Sequence, residues 1–280
     1  MNRSFLGSLL RERGIVIGFV VLAFIVVVAL LAPLCAPANP WSMVGRPFLP
    51  PFEDLRTPLG TDTTGRDILS GLIWGARVSL LIGLVSTAAS LLIGIGVGAV
   101  SGYCGGRVDA FLMRVTELFQ VIPSFALALV LVAVLQPSVG SIVLAIAIVS
   151  WPPVARLVRG EFLSLRERDF VQAARLQGES SARIIFVQIL PNVASPIIVM
   201  GSLMVATAIL LESSLSFLGL GDPNLMSWGF MVGSSRTVLR QAWWMATFPG
   251  LAIGITVLAL NMLGESLNDA LNARVRGGRK

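Results

Sequence analysis

The chain is predicted to be an all-α, polytopic membrane protein with six transmembrane helices, and three observations predict it. Apolar residues make up 55% of the 280 residues and charged residues only 13%, about half the share usual in soluble domains. The apolar residues fall into runs of about 20, the length a helix needs to cross a bilayer. The charges collect between those runs, most of all in one island, residues 156–192. That island holds six arginines (Arg156, Arg159, Arg166, Arg168, Arg175, Arg183) and four acids (Glu161, Glu167, Asp169, Glu179) between very apolar flanks.

Taken in order, residues 1–13 form a basic N-terminal segment with Arg3, Arg11 and Arg13, and 14–34 is a charge-free first span, too long for the apolar core of a signal peptide. Residues 35–76 are a Pro- and Gly-rich loop that ends in a turn, T-D-T-T-G-R-D, leading to the bilayer. Asp62, Arg66, Asp67 and Arg77 are read there as loop structure and solvated charge. The second span, 78–100, carries Gly94, Gly98 and Gly102 at a spacing of four, which suits close helix approach. The third, 113–135, has Glu117 near its entrance and Pro123 as a kink. Gln136, Pro137 and Ser138 break an otherwise charge-free run, so the fourth span covers 139–157.

Within the island, Asp169 and Gln172 have the spacing of a capping box, and Gly178 falls where a glycine ends a helix in the left-handed conformation. A helix of two turns, 170–177, is expected. It is too short to persist alone, so a partner must pack on its face of Phe170, Ala173, Ala174 and Gln177. Ser180 or Ser181 caps a second helix that Pro191 ends or kinks. The fifth span covers 192–218, and Trp228, Trp243 and Trp244 fit an interfacial belt before the sixth, 244–264. Residues 77–280 thus form a core of five helices.

Fifteen of the 21 basic residues fall on the side of the termini and the island, which places both termini and the island in the cytoplasm by the positive-inside rule. The net charge of +6 therefore reflects orientation in a lipid bilayer and not binding to nucleic acid. With no histidine and two distant cysteines, Cys35 and Cys104, neither a metal site nor a disulfide framework nor a catalytic triad is expected. Glu117, Glu212 and Glu265 lie near span ends and are read as solvated interfacial carboxylates, which leaves little for a secondary transporter to couple through. Polar and small positions inside the spans, Ser86, Ser90, Thr207, Ser213, Thr256 and Asn261, are the candidates for a translocation path. A channel or secondary transporter stays open on these residues alone.

The segment FVQAARLQGESSARIIFVQILPN resembles the EAA loop of permease subunits of bacterial ABC importers. PLGTDTTGRDILSGLIWGARVSL, SGYCGGRVDAFLMR, WPPVARLVRGEFLSLRERDFVQAAR, LESSLSFLGLG and FPGLAIGITVLALNMLGESLNDAL together resemble the second membrane subunit of the dipeptide/oligopeptide permease family. The resemblance runs from about Pro58 to Leu271. It implies a type I (MetI-like) importer fold and a heteromeric complex in the bacterial inner membrane. Its partners would be a second homologous permease subunit, two cytoplasmic ATPases that hold ATP and Mg, and an extracytoplasmic solute-binding protein. It further implies that the short helix couples to an ATPase through Asp169, Phe170, Gln172, Ala173, Ala174, Arg175, Gly178, Arg183 and Gln188. Three features depart from the family pattern: Gln172 stands for its glutamate, Gln188 stands for its histidine, and the segment after LSFLGLG reads GDPNLMSWG in place of a longer Pro-rich form. Peptides are the cargo implied; nickel complexes, glutathione or another small solute are the alternatives. The chain has no G-x-x-x-x-G-K-[ST] loop, so ATP hydrolysis would belong to its partners.

Overall fold

A computed structural model of the chain describes residues 13–36 and 39–277. Among the described residues the regular elements are helices, and strand-like pairing is confined to two isolated bridges, Met43 with Arg66 and Thr61 with Asp67. The all-α class is as predicted. Residues 1–12, Arg279 and Lys280, counted above for orientation, lie outside the described residues.

Helix α1 covers Arg13–Leu30 and is followed by a single turn, Ala32–Cys35. Helix α2, Ile68–Cys104, has 37 residues, about 55 Å at 1.5 Å per residue. It begins ten positions before the expected start because Asp67 caps it, accepting from Leu69 N at 3.2 Å and Ser70 N at 2.9 Å. Asp62 fixes the turn before it, accepting from Thr64 N, Thr64 Oγ1 and Arg66 N at 2.7, 2.8 and 2.9 Å. Both aspartates are loop structure, as expected, and the loop ends at 67 and not at 76.

The expected third span is not one helix. Helix α3, Gly106–Val121, and helix α4, Ser124–Leu135, meet at 85°. Pro123 lacks an N–H and bars the preceding residue from the helical region, so Ile122 is extended at φ −83°, ψ 128° and a kink becomes a corner. Helix α5, Val139–Leu165, starts at Ser138, whose Oγ accepts from Ser141 N at 3.1 Å. Helix α6, Asp169–Leu176, is the short island helix, one residue earlier than expected.

Helix α7 runs from Ser181 to Leu220, 40 residues, so Pro191 neither ends nor separates it from the fifth span. The helix widens into a π stretch over Ile184–Ile189, where Leu190 N bonds Ile185 O, and this makes room for a residue that cannot donate. Asn192 Nδ2 donates to Gln188 O at 2.7 Å. Helices α8, Trp228–Ser235, and α9, Trp244–Gly277, complete the fold.

Among the described residues four helices, α2, α5, α7 and α9, are long and apolar enough to cross a membrane. The bent pair α3–α4 makes a fifth if it counts as one span, and the apolar part of α1, Gly14–Leu30, is shorter. The six expected spans thus correspond to four long helices, a broken pair and a short helix.

The closest packing is between α2 and α5. A Cβ on Gly94 would lie 2.4 Å from Val154 Cβ, on Gly98 2.5 Å from Ala155 O and on Gly102 2.5 Å from Phe162 Cβ. The three glycines therefore set the distance between these helices. The tryptophan belt is corrected: Trp228 and Trp244 are buried and only Trp243 of the three is exposed. The two buried indoles donate inward, to Leu72 O at 2.9 Å and Thr61 O at 3.1 Å, so they pin the loop and α8 to the core instead of facing the interface.

Candidate functional site

Helix α6 is held differently at its two ends. Arg168, extended at φ −76°, ψ 149°, occupies the N-cap without a side-chain cap. Gln172 Nε2 instead donates to Arg166 O at 3.3 Å, so the capping box is not formed. Asp169 is the first helical residue and Arg175 lies in the last turn, each with the sign of charge the helix dipole favours. At the other end Gly178 adopts φ +77°. Gly178 N bonds Arg175 O at 3.0 Å and Glu179 N bonds Ala174 O at 3.1 Å, the paired closure of a Schellman motif.

The faces of α6 also differ from expectation. Val171 and Ala174 are buried and belong to one apolar cluster with Phe162 of α5 and Ile184, Ile189 and Val193 of α7. Ala174 therefore packs against its own chain. The outward stripe is Phe170, Ala173, Leu176 and Gln177, and Leu176 is 90% exposed. Sequence reasoning missed Leu176, although it lies three positions beyond Ala173 and continues the stripe. Glu179 ties the far side: it pairs with Arg183 at 3.4 Å and accepts from Gln188 Nε2 at 3.4 Å.

Three arginines of the island anchor it to α2 and α3. Arg159 holds Asp109 in a two-pronged pair at 2.5 and 2.7 Å, and Ser101 Oγ donates to the same carboxylate at 2.5 Å. Arg166 Nη1 donates to Gly102 O at 3.1 Å. Arg175 lies over the Tyr103 ring, 5.3 Å from its centroid. Planar forked pairs of this kind fix orientation as well as position. Asp109 and Arg159 are 50 positions apart, and no local pattern joins them.

The expected path residues separate into two groups. Ser86, Ser90 and Thr256 are buried: Ser90 Oγ donates to Ser86 O at 2.9 Å and Thr256 Oγ1 to Ala252 O at 2.7 Å. All three lie inside the helix packing of this chain, Ser86 with a buried hydroxyl that has no partner among the described residues. Asn261 is exposed and Ser213 half-buried. Thr207 is exposed and lines an open groove of about 420 Å³ at the α3–α4 corner, with Gln120, Pro123, Ser124, Ser150 and Pro153 among its other walls.

Glu212 corrects a further expectation, for it is 1% exposed and not solvated. Oε1 accepts from Ser216 Oγ at 2.8 Å and Ser227 Oγ at 2.7 Å, while Ser227 Oγ also accepts from Phe230 N at 3.0 Å. Glu212 thus joins α7 to the N-cap of α8. A Cβ on Gly229 would lie 2.8 Å from Oε1 and 2.9 Å from Oε2, so the backbone of α8 seals the carboxyl and leaves no room for a ligand. Glu117 pairs with Arg114 at 3.3 Å in solvent.

Comparison with known proteins places this arrangement among relatives. The family model of the binding-protein-dependent transport system inner membrane component matches residues 94–277, and that of the N-terminal TM domain of oligopeptide transport permease C matches residues 3–51. The Di/tripeptide transport system permease protein DppC of Pseudomonas aeruginosa is 42% identical, over 98% of this chain and 92% of the relative. The Dipeptide transport system permease protein DppC of Escherichia coli is 41% identical, over 95% of this chain and 91% of the relative. Among solved structures, an inward-facing MetNI methionine ABC transporter superposes with a TM-score of 0.61 at 16% identity, over 72% of this chain and 97% of that one. That last likeness concerns fold alone.

Proposed function

We propose, from the premise that this chain belongs to the family of binding-protein-dependent transport system inner membrane components, that it is the permease subunit of an ABC importer carrying di- or oligopeptides across the bacterial inner membrane. The observation that carries the cargo class is likeness along nearly the whole chain to relatives named for di- and tripeptide transport. Nickel complexes, glutathione or another small solute are the alternative cargoes within the same importer class.

In this reading the chain forms half of the path, and a second homologous permease subunit forms the other half. Two cytoplasmic ATPases bind ATP with Mg and hydrolyse it, and an extracytoplasmic solute-binding protein delivers the cargo. The chain's own part is mechanical. The outward stripe of α6 docks on an ATPase, with Phe170 and Leu176 as its apolar anchors and Gly178 closing the helix end. Closure of the ATPases on ATP is a rigid-body event, and a short helix locked at its C-terminus and packed on α5 and α7 passes it to the spans as rocking. Both termini and the island face the cytoplasm.

Gentle affinity purification of this chain from its native membrane, with mass spectrometry of what accompanies it, tests the proposal. A second permease, one or two kinds of ATPase and a solute-binding protein holding a peptide are expected. The chain alone, or only with copies of itself, would overturn the importer reading. A binding protein that holds a metal complex or glutathione would overturn the cargo alone.

A further inference from the structure

Resting on the importer reading, we infer that the groove at the α3–α4 corner is where this subunit handles the peptide in transit, through neutral oxygen acceptors and one amide donor. A short peptide presents an ammonium, a carboxylate and amide groups whatever its side chains are. A path that serves many sequences must therefore address the backbone.

The groove has that chemistry. Pro152 and Pro153 lie inside α5 and line it. Neither has an N–H, so the carbonyls four positions earlier, on Ile148 and Val149, lose their helical donors, and that of Val149, which lines the groove, keeps lone pairs for another partner. The hydroxyl of Ser150 on the same helix, and those of Ser124 and Thr207 on the facing walls, add acceptors. Gln120 supplies the opposite function: its Oε1 is occupied by Arg156 Nη1 at 3.0 Å, which leaves its amide N–H groups for a peptide carbonyl or carboxylate.

Strength matters as much as type. Among the described residues, no charged side chain lines the groove. Neutral hydrogen bonds contribute only about 0.5–1.5 kcal/mol each, so cargo is held in register and still released. Met200 and Met204 on the same wall are adaptable apolar contacts that fit varied side chains. The volume of about 420 Å³ lies within the range of small-ligand sites, about 300–1,000 Å³.

The test uses the complete complex in proteoliposomes, with both exposed native thiols, Cys35 and Cys104, replaced by alanine and with Thr207→Cys introduced. A bulky maleimide is added after assembly, so folding of the variant is not at issue. Ile198→Cys is the control, since Ile198 is 56% exposed and stands nine positions from Thr207, on the opposite side of α7 at about 100° per residue. Modification at position 207 is expected to lower ATP-driven uptake of radiolabelled trialanine by roughly tenfold or more, as a narrowed pore does, and trialanine with its binding protein is expected to slow that modification. Modification at position 198 is expected to leave uptake within about twofold. Complete modification at 207 with uptake unchanged would overturn the inference while the importer reading stands. An unmodified complex that drives uptake of no peptide would overturn the inference and the peptide cargo together, while the importer class is tested separately by the purification above.

Discussion

Replacing Gly178 separates backbone conformation from contact at the end of α6. At φ +77° the residue is left-handed, and a Cβ there would meet no heavy atom within 4 Å. A substitution therefore costs conformation and not space within this chain. The left-handed region costs an L-residue about 1–2 kcal/mol, and asparagine is the side chain that tolerates it best. That energy falls on two hydrogen bonds, Gly178 N to Arg175 O and Glu179 N to Ala174 O, which close a helix of eight residues. One to two kcal/mol changes the population of the closed end by a factor of about 5–30. The expected order of retained ATPase is Gly, Asn, Ala, Val, with valine lowest because its branched Cβ is the least suited to positive φ. The assay is ATPase recovered per permease in mild detergent, with ATP hydrolysis stimulated by the binding protein as the second readout. If Gly178→Asn is as damaging as Gly178→Val, the position is needed empty by a partner and the conformational argument is wrong. If Gly178→Val retains wild-type ATPase, the helix end has no part in docking.

Three further outcomes follow from the same geometry. Leu176→Glu should release the ATPases while leaving the protein's thermal stability unchanged, because Leu176 is 90% exposed; Ala174→Glu should also expose segment 156–192 to protease, because it drives a charge into the buried cluster. Gly98→Ala should lower the melting temperature of the detergent-solubilised chain by several degrees, since its Cβ meets a backbone oxygen at 2.5 Å and overpacking costs about 1–3 kcal/mol; an unchanged melting temperature would mean that α2 and α5 separate freely. Glu212→Gln should be nearly neutral, whereas Glu212→Leu strands the buried Ser216 and Ser227 hydroxyls at about 1–3 kcal/mol each, and equal melting temperatures for the two would remove Glu212 as the joint between α7 and α8.

What was legible in the sequence is what depends on local pattern. The charged island, the left-handed Gly178 and the small-residue spacing of Gly94, Gly98 and Gly102 all sit where the residues say, since each reflects a rule that operates within a few turns. The α5 face that meets those glycines, and the Arg159 pair with Asp109, could not be read, because they join residues that only tertiary packing brings together. Polar residues in the spans do not by themselves mark a path, for a physical reason. A serine or threonine inside a helix can donate to the carbonyl three or four residues back, as Ser90 and Thr256 do, and so can be buried without serving a path. Ala174 was misread because eight residues hold two apolar stripes, and only the rest of the chain decides which one is covered.

The packing restricts how movement at α6 can reach the groove. Val171 and Ala174 share a cluster with Val154, Val158 and Phe162, which recur every four residues on one face of α5. Opposite them stand Gly94, Gly98 and Gly102, also every four residues, with no space for even one added carbon. Two surfaces interlocked at that period cannot slide without first separating, and the Arg159 pair and the Arg166 bond oppose separation at the same end. α2, α5 and α6 must then move as one body. Val154 directly follows Pro153 in the groove wall, so the body that carries α6 also carries the free carbonyls of α5. The facing wall, from Phe119 to Ser124, lies at the 85° corner between α3 and α4, where the extended Ile122 interrupts the helix. Phe119 and Gln120 on the α3 side of that wall are tied to α5, by the Phe119–Trp151 ring contact at 5.3 Å and the Gln120–Arg156 hydrogen bond at 3.0 Å, so the freedom to change the groove's width lies beyond the extended Ile122, on the α4 side of the corner.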